Sequence, residues 1–169
     1  MYRIALSVLM TCVPLQALAG VEILPWKSMT KIGEATLRFA VWDIYQARLY
    51  CHDDTFAFTQ PYVLEITYLR NFSKRQLLKE TDKQLKKLEL NRHTDFQSWM
   101  SRLGDIWPDV RKNDTLALHV DAHLHARFYF NHRYIGTVED PEFSRSFSSI
   151  WLAENATRPT IRMKLLGNG

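Results

Sequence analysis

The chain has 169 residues, of which 46% are hydrophobic, 12% aromatic and 24% charged, and 22 Lys and Arg against 18 Asp and Glu give a formal charge of +4. This composition excludes a long disordered tail, a collagen-like repeat and a disulfide-framed mini-protein. The length fits one domain built around one sizeable core.

The N-terminal residues read as an export signal. Arg3 supplies a positive start, and an apolar stretch runs from Ile4 to Leu15. Ala17-Leu18-Ala19 fits the small-x-small rule of signal peptidase, with the cut between Ala19 and Gly20. The apolar run is shorter than the roughly 20 residues of a permanent membrane span. An uncleaved N-terminal anchor is the alternative. Residues 1–19 are thus expected to be a signal peptide, residues 20–169 the mature domain, and the location periplasmic or secreted. Cys12 leaves with the signal, so Cys51 is the only mature thiol. Its setting, Leu49-Tyr50-Cys51-His52, suits a small core hydrophobe better than a catalytic thiol. His52 is a poor activating base, because neighbours along a strand face opposite ways.

Residues 35–50 (ATLRFAVWDIYQARLY) lack Gly and Pro and are rich in β-branched and aromatic side chains. They predict one long strand or a bent strand pair. Leu37, Phe39 and Val41 share one parity. Arg38, Ala40 and Trp42 share the other, a mixed face suited to a pocket wall or a packed helix. Pro61 to Arg70 alternates as a second strand. Ser73 is placed to cap a helix from Lys74 to about Glu89, with Leu77, Leu78, Thr81, Leu85 and Leu88 at helical spacing. Its lysines (Lys83, Lys86, Lys87) are interleaved with Asp82 and Glu89, which is a solvated helix face and no nucleic-acid footprint. A second helix is predicted over Asp95–Trp107, with Phe96, Trp99, Met100 and Leu103 inward and Pro108 at its end. Three strands follow over Thr115–Val120, Leu124–Phe130 and Tyr134–Val138, separated by turn residues. Asp140-Pro141 starts a third helix with Phe143, Phe147, Ile150 and Trp151 as its apolar stripe. Arg158-Pro159 starts a last helix that stops at Gly167. This order predicts an α+β fold: an antiparallel sheet covered on one face by a layer of helices.

Few residue groups suggest chemistry. His119, His123, His125 and His132 lie close in sequence, but no H-E-x-x-H or C-x-x-C spacing accompanies them, and surface histidines explain them better than a metal site. Ser144, Ser146, Ser148 and Ser149 lie on a predicted helix without a nucleophile elbow. Glu139, Asp140 and Glu142 cluster at a helix start, where negative charge offsets the helix dipole. Arg38, Tyr45 and Tyr68 attract more interest. A guanidinium among aromatics can hold a carboxylate in a bidentate pair, and the tyrosines add hydroxyl donors. The alternative is that Arg38 snorkels at the sheet edge and the tyrosines belong to the core.

Several segments share a pattern with one family. Residues 33–50 (GEATLRFAVWDIYQARLY) resemble the G-x-x-x-L…(V/I)-Y-x-A-x-L-Y stretch of the bacterial chalcone isomerase-like proteins. Asn113 to Leu118 is similar to that family's K-G-D-x-L-x-L strand. Gly136 through Phe143 to Ile150-Trp151-Leu152 resembles its G-x-I…F…I-W-L segment, and Leu165-Leu166-Gly167 its closing L-L-G. The resemblance implies the fold already read from the pattern. It also implies what chemistry to look for. Plant chalcone isomerases cyclise a chalcone with an arginine, a strand threonine and a tyrosine. The resemblance puts Ala40 at the threonine and Phe72 at the tyrosine, and the arginine falls near Ser28. It therefore implies no cyclisation chemistry, and no catalytic residue, metal or cofactor is assigned. Related plant members without isomerase activity bind fatty acids in a cleft between sheet and helices. By that resemblance the chain is a non-catalytic module for a small apolar or acyl ligand. The cleft residues would be Arg38, Ala40, Trp42, Tyr45, Tyr68, Phe72 and Phe147, with Arg38 as carboxylate anchor. Association with a membrane surface fits such a ligand; nucleic acid does not. An isomerase or lyase acting on a phenolic or enone substrate, and a protein–protein adaptor without ligand, are the alternatives.

Overall fold

A computed structural model describes residues 24–168. The signal-peptide reading of residues 1–19 and the cut between Ala19 and Gly20 lie outside the described residues. Six strands form one sheet in the order of the sequence, every neighbouring pair antiparallel. They are β1 (Thr30–Phe39), β2 (Trp42–Cys51), β3 (Tyr62–Tyr68), β4 (Thr115–Val120), β5 (Ala126–Phe130) and β6 (Arg133–Val138). Two helices, α1 (Lys74–Lys87) and α2 (Phe96–Ile106), are inserted between β3 and β4. Two more, α3 (Pro141–Leu152) and α4 (Pro159–Leu165), follow the sheet. The fold is α+β, as the pattern predicts.

Alternation along the strands decides which face the helices cover. Leu64, Ile66 and Tyr68 of β3, Leu116 and Leu118 of β4, and Phe128 of β5 join the main core. Leu77, Leu103, Phe143, Phe147 and Leu165 meet them from the helices. The intervening positions form the opposite face. There Val63, Ala117 and Tyr129 pack under Trp26, which a 3₁₀ turn over Pro25–Ser28 brings across. Beside them Arg48 donates to Glu65 at 3.3 Å, so the buried carboxylate has a charged partner.

Residues 35–50 form the strand pair rather than one strand. Phe39 pairs with Trp42, and Ala40-Val41 is the two-residue turn between them. Ala40 has φ +52°, a left-handed conformation usually taken by Gly or Asn. That is why the turn left no sequence signature. The strand predicted from Leu124 begins late, at Ala126. Leu124 has φ +62°, and the Asp121 carboxylate accepts the backbone N–H groups of His123 and His125 at 2.9 and 3.0 Å. This Asx-type loop occupies residues that would otherwise extend β5.

The helices begin where their caps say. The Ser73 hydroxyl accepts from Gln76, and the Gln76 side chain accepts from the Ser73 backbone N–H, a complete capping box. Asp140 accepts the Glu142 backbone N–H at 2.9 Å, with Pro141 in the first turn. Its second oxygen accepts Trp99 Nε1–H at 2.7 Å and ties α2 to α3. Asp95 precedes α2 without capping it through its side chain. At the other end of the chain α4 lies on β1. A Cβ at Gly33 would be driven into the backbone carbonyls of Lys164 and Leu165, so only glycine lets the two backbones come this close.

Candidate functional site: a cleft between sheet and helices

Helix α1 packs chiefly on α2 and α3 and little on the strands beneath it. A cleft of about 970 Å³ remains between them. Leu37 and Phe39 of β1, Ile44 of β2 and Ile66 of β3 supply its apolar floor. Helix α3 supplies Phe147, Ile150 and Trp151, and α1 supplies Leu77, Thr81 and Gln84 from one face. Lys79, Glu80, Lys83 and Lys87 of α1 edge the cleft towards solvent, and Arg158 closes it near the start of α4. Backbone bonds in both directions between Phe72 and Val110, each 2.9 Å, hold Phe72 in the lining.

The polar atoms of this lining are few. Tyr45 and Tyr68 are cross-strand partners with rings edge to face at 6.4 Å. Tyr68 in turn meets Phe72 at 5.8 Å. The Tyr45 phenol oxygen accepts Trp151 Nε1–H at 2.8 Å. The Tyr68 hydroxyl has no hydrogen-bond partner among the described residues, although the residue is only 7% exposed. Burial pushes both phenols up from their usual value, so both stay protonated near neutral pH. For Tyr45 the Trp151 bond and the Arg158 charge oppose that rise, while Glu80 adds to it. Trp107 Nε1–H and Gln84 Oε1 are buried in the lining without partners among the described residues. The Gln84 amide donates to Glu80. The lining combines apolar walls with O–H and N–H donors, the Gln84 carbonyl and one arginine, and its solvent edge carries the lysines with Glu80 and Asp82.

Four residues predicted for the cleft line it: Tyr45, Tyr68, Phe72 and Phe147. Three stand outside it. Leu37 and Phe39 face the cleft, so Arg38 between them faces away. Its Nε donates to Asp43 at 2.6 Å, and it borders a smaller polar recess of about 380 Å³ with Glu34, Gln46 and Lys164. Ala40 is exposed in the hairpin turn. Trp42 is 55% exposed and carries the Arg70 guanidinium 4.4 Å above its ring. The mixed parity taken as a pocket wall is therefore the outer face of this hairpin. The apolar parity, Leu37 and Phe39, is the wall. Trp151 and Arg158 were read only as a helix stripe and a helix start, and nothing local in the sequence brings them to Tyr45.

The other candidates have structural surroundings. His119 is buried on the sheet face away from the main core, and burial lowers its ring to about 4. The rings of His123 and His125 are 5.8 Å apart, and His132 Nε2 lies 3.8 Å from Glu65. Among the described residues no three His, Cys, Asp or Glu side chains are grouped to hold a metal ion. Cys51 is buried and free, and burial pushes its thiol up to about 11. Ser144 and Ser149 donate to backbone carbonyls at 2.6 and 2.7 Å, and Ser148 accepts from Tyr62 at 2.6 Å.

A meandering six-stranded sheet with four helices and an apolar cleft beneath them defines the α+β class of this fold. The chain belongs to the chalcone isomerase-like family, whose model matches residues 30–167. It is similar to an uncharacterized protein of Haemophilus influenzae, 26% identical over 144 residues that span 85% of this chain and 70% of that one. Its fold resembles the crystal structure of an Arabidopsis thaliana fatty-acid binding protein. The TM-score is 0.63 at 14% identity, over 84% of this chain and 88% of that one.

Proposed function

We propose that this protein is a non-catalytic binding module that encloses the hydrocarbon chain of a single amphiphile, after export from the cytoplasm. The cleft carries this reading. Its volume of about 970 Å³ lies at the upper end of ordinary small-ligand sites. Its floor and its α3 wall are aliphatic and aromatic, and each methylene buried there contributes about 0.8 kcal/mol. The plant neighbour is a fatty-acid binding protein, which supports the same ligand class. Phe72, at the position the resemblance gives to a tyrosine, offers no proton for cyclisation. The adaptor reading calls for a filled cleft, and this one is open.

Export is part of the proposal and rests on Arg3, the apolar run and Ala17-Leu18-Ala19. So is a membrane surface as the place of exchange. Phe39, Val41 and Trp42 are 68%, 81% and 55% exposed at the β1–β2 tip, with Arg38 and Arg70 beside them. Aromatic residues among cations suit an anionic lipid interface. Phe39 also belongs to the cleft wall, so a chain leaving the bilayer at the tip meets the cleft directly.

Full-length protein is expressed in a bacterial host, recovered from the periplasm, weighed by mass spectrometry and delipidated. It is then titrated calorimetrically with saturated acyl compounds of increasing length. The expected results are a mass lacking residues 1–19 and one binding site whose affinity rises with chain length until the cleft is full. A Leu37→Trp variant is expected to fold and to lose at least ten-fold in affinity. No heat with any acid, alcohol or ester, or tight binding unaffected by Leu37→Trp, refutes the cleft reading. Retention of residues 1–19 refutes the cleaved-signal reading.

A further inference from the structure

We infer that the outward face of α1 is a cationic docking surface for an anionic lipid bilayer, which holds the mouth of the cleft against the membrane. This rests on the membrane exchange proposed above and names the surface that makes it depend on lipid charge.

Charge is unevenly placed in this molecule. Helix α1 carries Lys74, Arg75, Lys79, Lys83, Lys86 and Lys87 against Glu80 and Asp82. Six cations against two acids leave a surplus of four, which equals the formal charge of the whole chain. The rest of the sequence therefore sums to zero. Interleaved along the chain, the charges separate around the helix. At 3.6 residues per turn Arg75, Lys86, Lys79, Lys83 and Lys87 form one band, with Asp82 and Glu80 at its borders and Leu77, Thr81 and Leu85 opposite. All five cations of the band are exposed. Lys83 lies 3.8 Å from Glu80, and Lys86 lies 2.8 Å from Asp82. Among the described residues Arg75, Lys79 and Lys87 make no ion pair.

Folding does not ask for this pattern. Arg75, Lys79, Lys83 and Lys87 succeed one another at four-residue spacing, where like charges repel. Lys86 and Lys87 suit the dipole in the last turn, but Lys74 and Arg75 oppose it in a first turn that has no acidic residue. Lys74 has a structural role, since its ammonium donates to the Gly104 carbonyl at 2.9 Å. An anionic surface outside the molecule relieves the repulsion among the others.

What else borders the cleft favours a lipid surface over an acidic protein. Lys79, Lys83 and Lys87 edge the same cleft that Phe39 walls. Phe39 continues into the exposed Val41 and Trp42 of the hairpin tip. A cationic band and an apolar wedge around one mouth match the headgroup and acyl layers of a bilayer. Each cation brought to an anionic bilayer raises binding about five-fold.

Protein recovered as above is floated with vesicles of phosphatidylcholine alone and of equal parts phosphatidylcholine and phosphatidylglycerol. One variant combines Arg75→Gln, Lys79→Gln and Lys87→Gln. Another removes the same charge from exposed sites off α1, with Lys27→Gln, Lys112→Gln and Arg133→Gln. Wild type is expected to bind the anionic vesicles at least ten-fold better than the neutral ones, a preference that high salt abolishes. The α1 variant is expected to lose at least ten-fold on anionic vesicles, with a thermal midpoint no lower than that of wild type. The second variant is expected to stay within three-fold of wild type. Equal losses in the two variants overturn the inference, since net charge alone is then at work. Equal flotation of wild type with both vesicles also overturns it and leaves the hairpin contact standing. Wild type that floats with neither, yet is retained by immobilised polyglutamate through the α1 cations, assigns the band to an acidic protein and overturns the lipid surface. No flotation and no retention overturns the membrane exchange as well, while acyl binding in the cleft is decided separately by calorimetry.

Discussion

His119 is enclosed on the open side of the sheet, and burial lowers its ring to about 4, against the smaller opposing effect of Asp121. In an unfolded chain the same ring takes a proton near pH 6.5. Between those values the unfolded chain binds a proton that the folded chain refuses. The stability tied to this ring is therefore complete above about pH 6.5 and is lost as pH falls towards about 4. Urea unfolding at pH 7 and at pH 4.5 is expected to show wild type losing on the order of 1 kcal/mol more than His119→Gln, after discounting for solvent screening. Equal losses in the two proteins contradict a neutral buried imidazole. The same sequence neighbourhood looked like a histidine cluster. Burial could not be read from it, because it depends on Val63 and Arg127, the cross-strand neighbours on β3 and β5.

Elements were legible where their ends carry chemistry. Ser73, and Asp140 with Pro141, announced α1 and α3 at the residues where they start. The β1–β2 turn was not legible, because Ala40 takes a left-handed conformation with no Gly or Asn to signal it. That one missing signal also misassigned the site. Period-two alternation sorts residues into two faces but does not say which face a helix will cover. Leu37 and Phe39 took the cleft; Arg38 and Trp42 went outside. Tyr68 and Phe147 line the cleft as members of apolar, core-facing sets, whereas Phe72 entered through the resemblance and Tyr45 as a hydroxyl donor. Arg158 was out of reach, being joined to Tyr45 only by tertiary packing. The hairpin tip also carries the membrane proposal. In flotation with vesicles containing phosphatidylglycerol, Val41→Asp is expected to bind at least five-fold less protein than wild type, with unchanged thermal unfolding. Equal flotation of both proteins places the membrane contact elsewhere or removes it.

At the scale of the molecule, the two ends of the described chain are packed against each other. Helix α4 rests on β1, with Ile161 and Leu165 in the main core. Gly33 sets their spacing, because any side chain there meets the Lys164 and Leu165 carbonyls. Those obstacles are backbone and cannot swing aside. Gly33→Val is expected to cost about 3 kcal/mol in urea unfolding, at the upper end for overpacking, by lifting α4 from the sheet. A loss below about 0.5 kcal/mol means that α4 does not need this seat.

The seating of α4 on β1 also orders events in time. The first strand is made early and acquires its helical cover only when residues 159–167 have been synthesised. Contacts of such long sequence separation close slowly and late. A ribosome-bound chain that stops short of residue 159 therefore holds an uncovered strand rather than a finished fold. Under the export proposed above, the interval in which the polypeptide stays loose enough to be threaded through a narrow translocation channel would last at least as long as its own synthesis through α4.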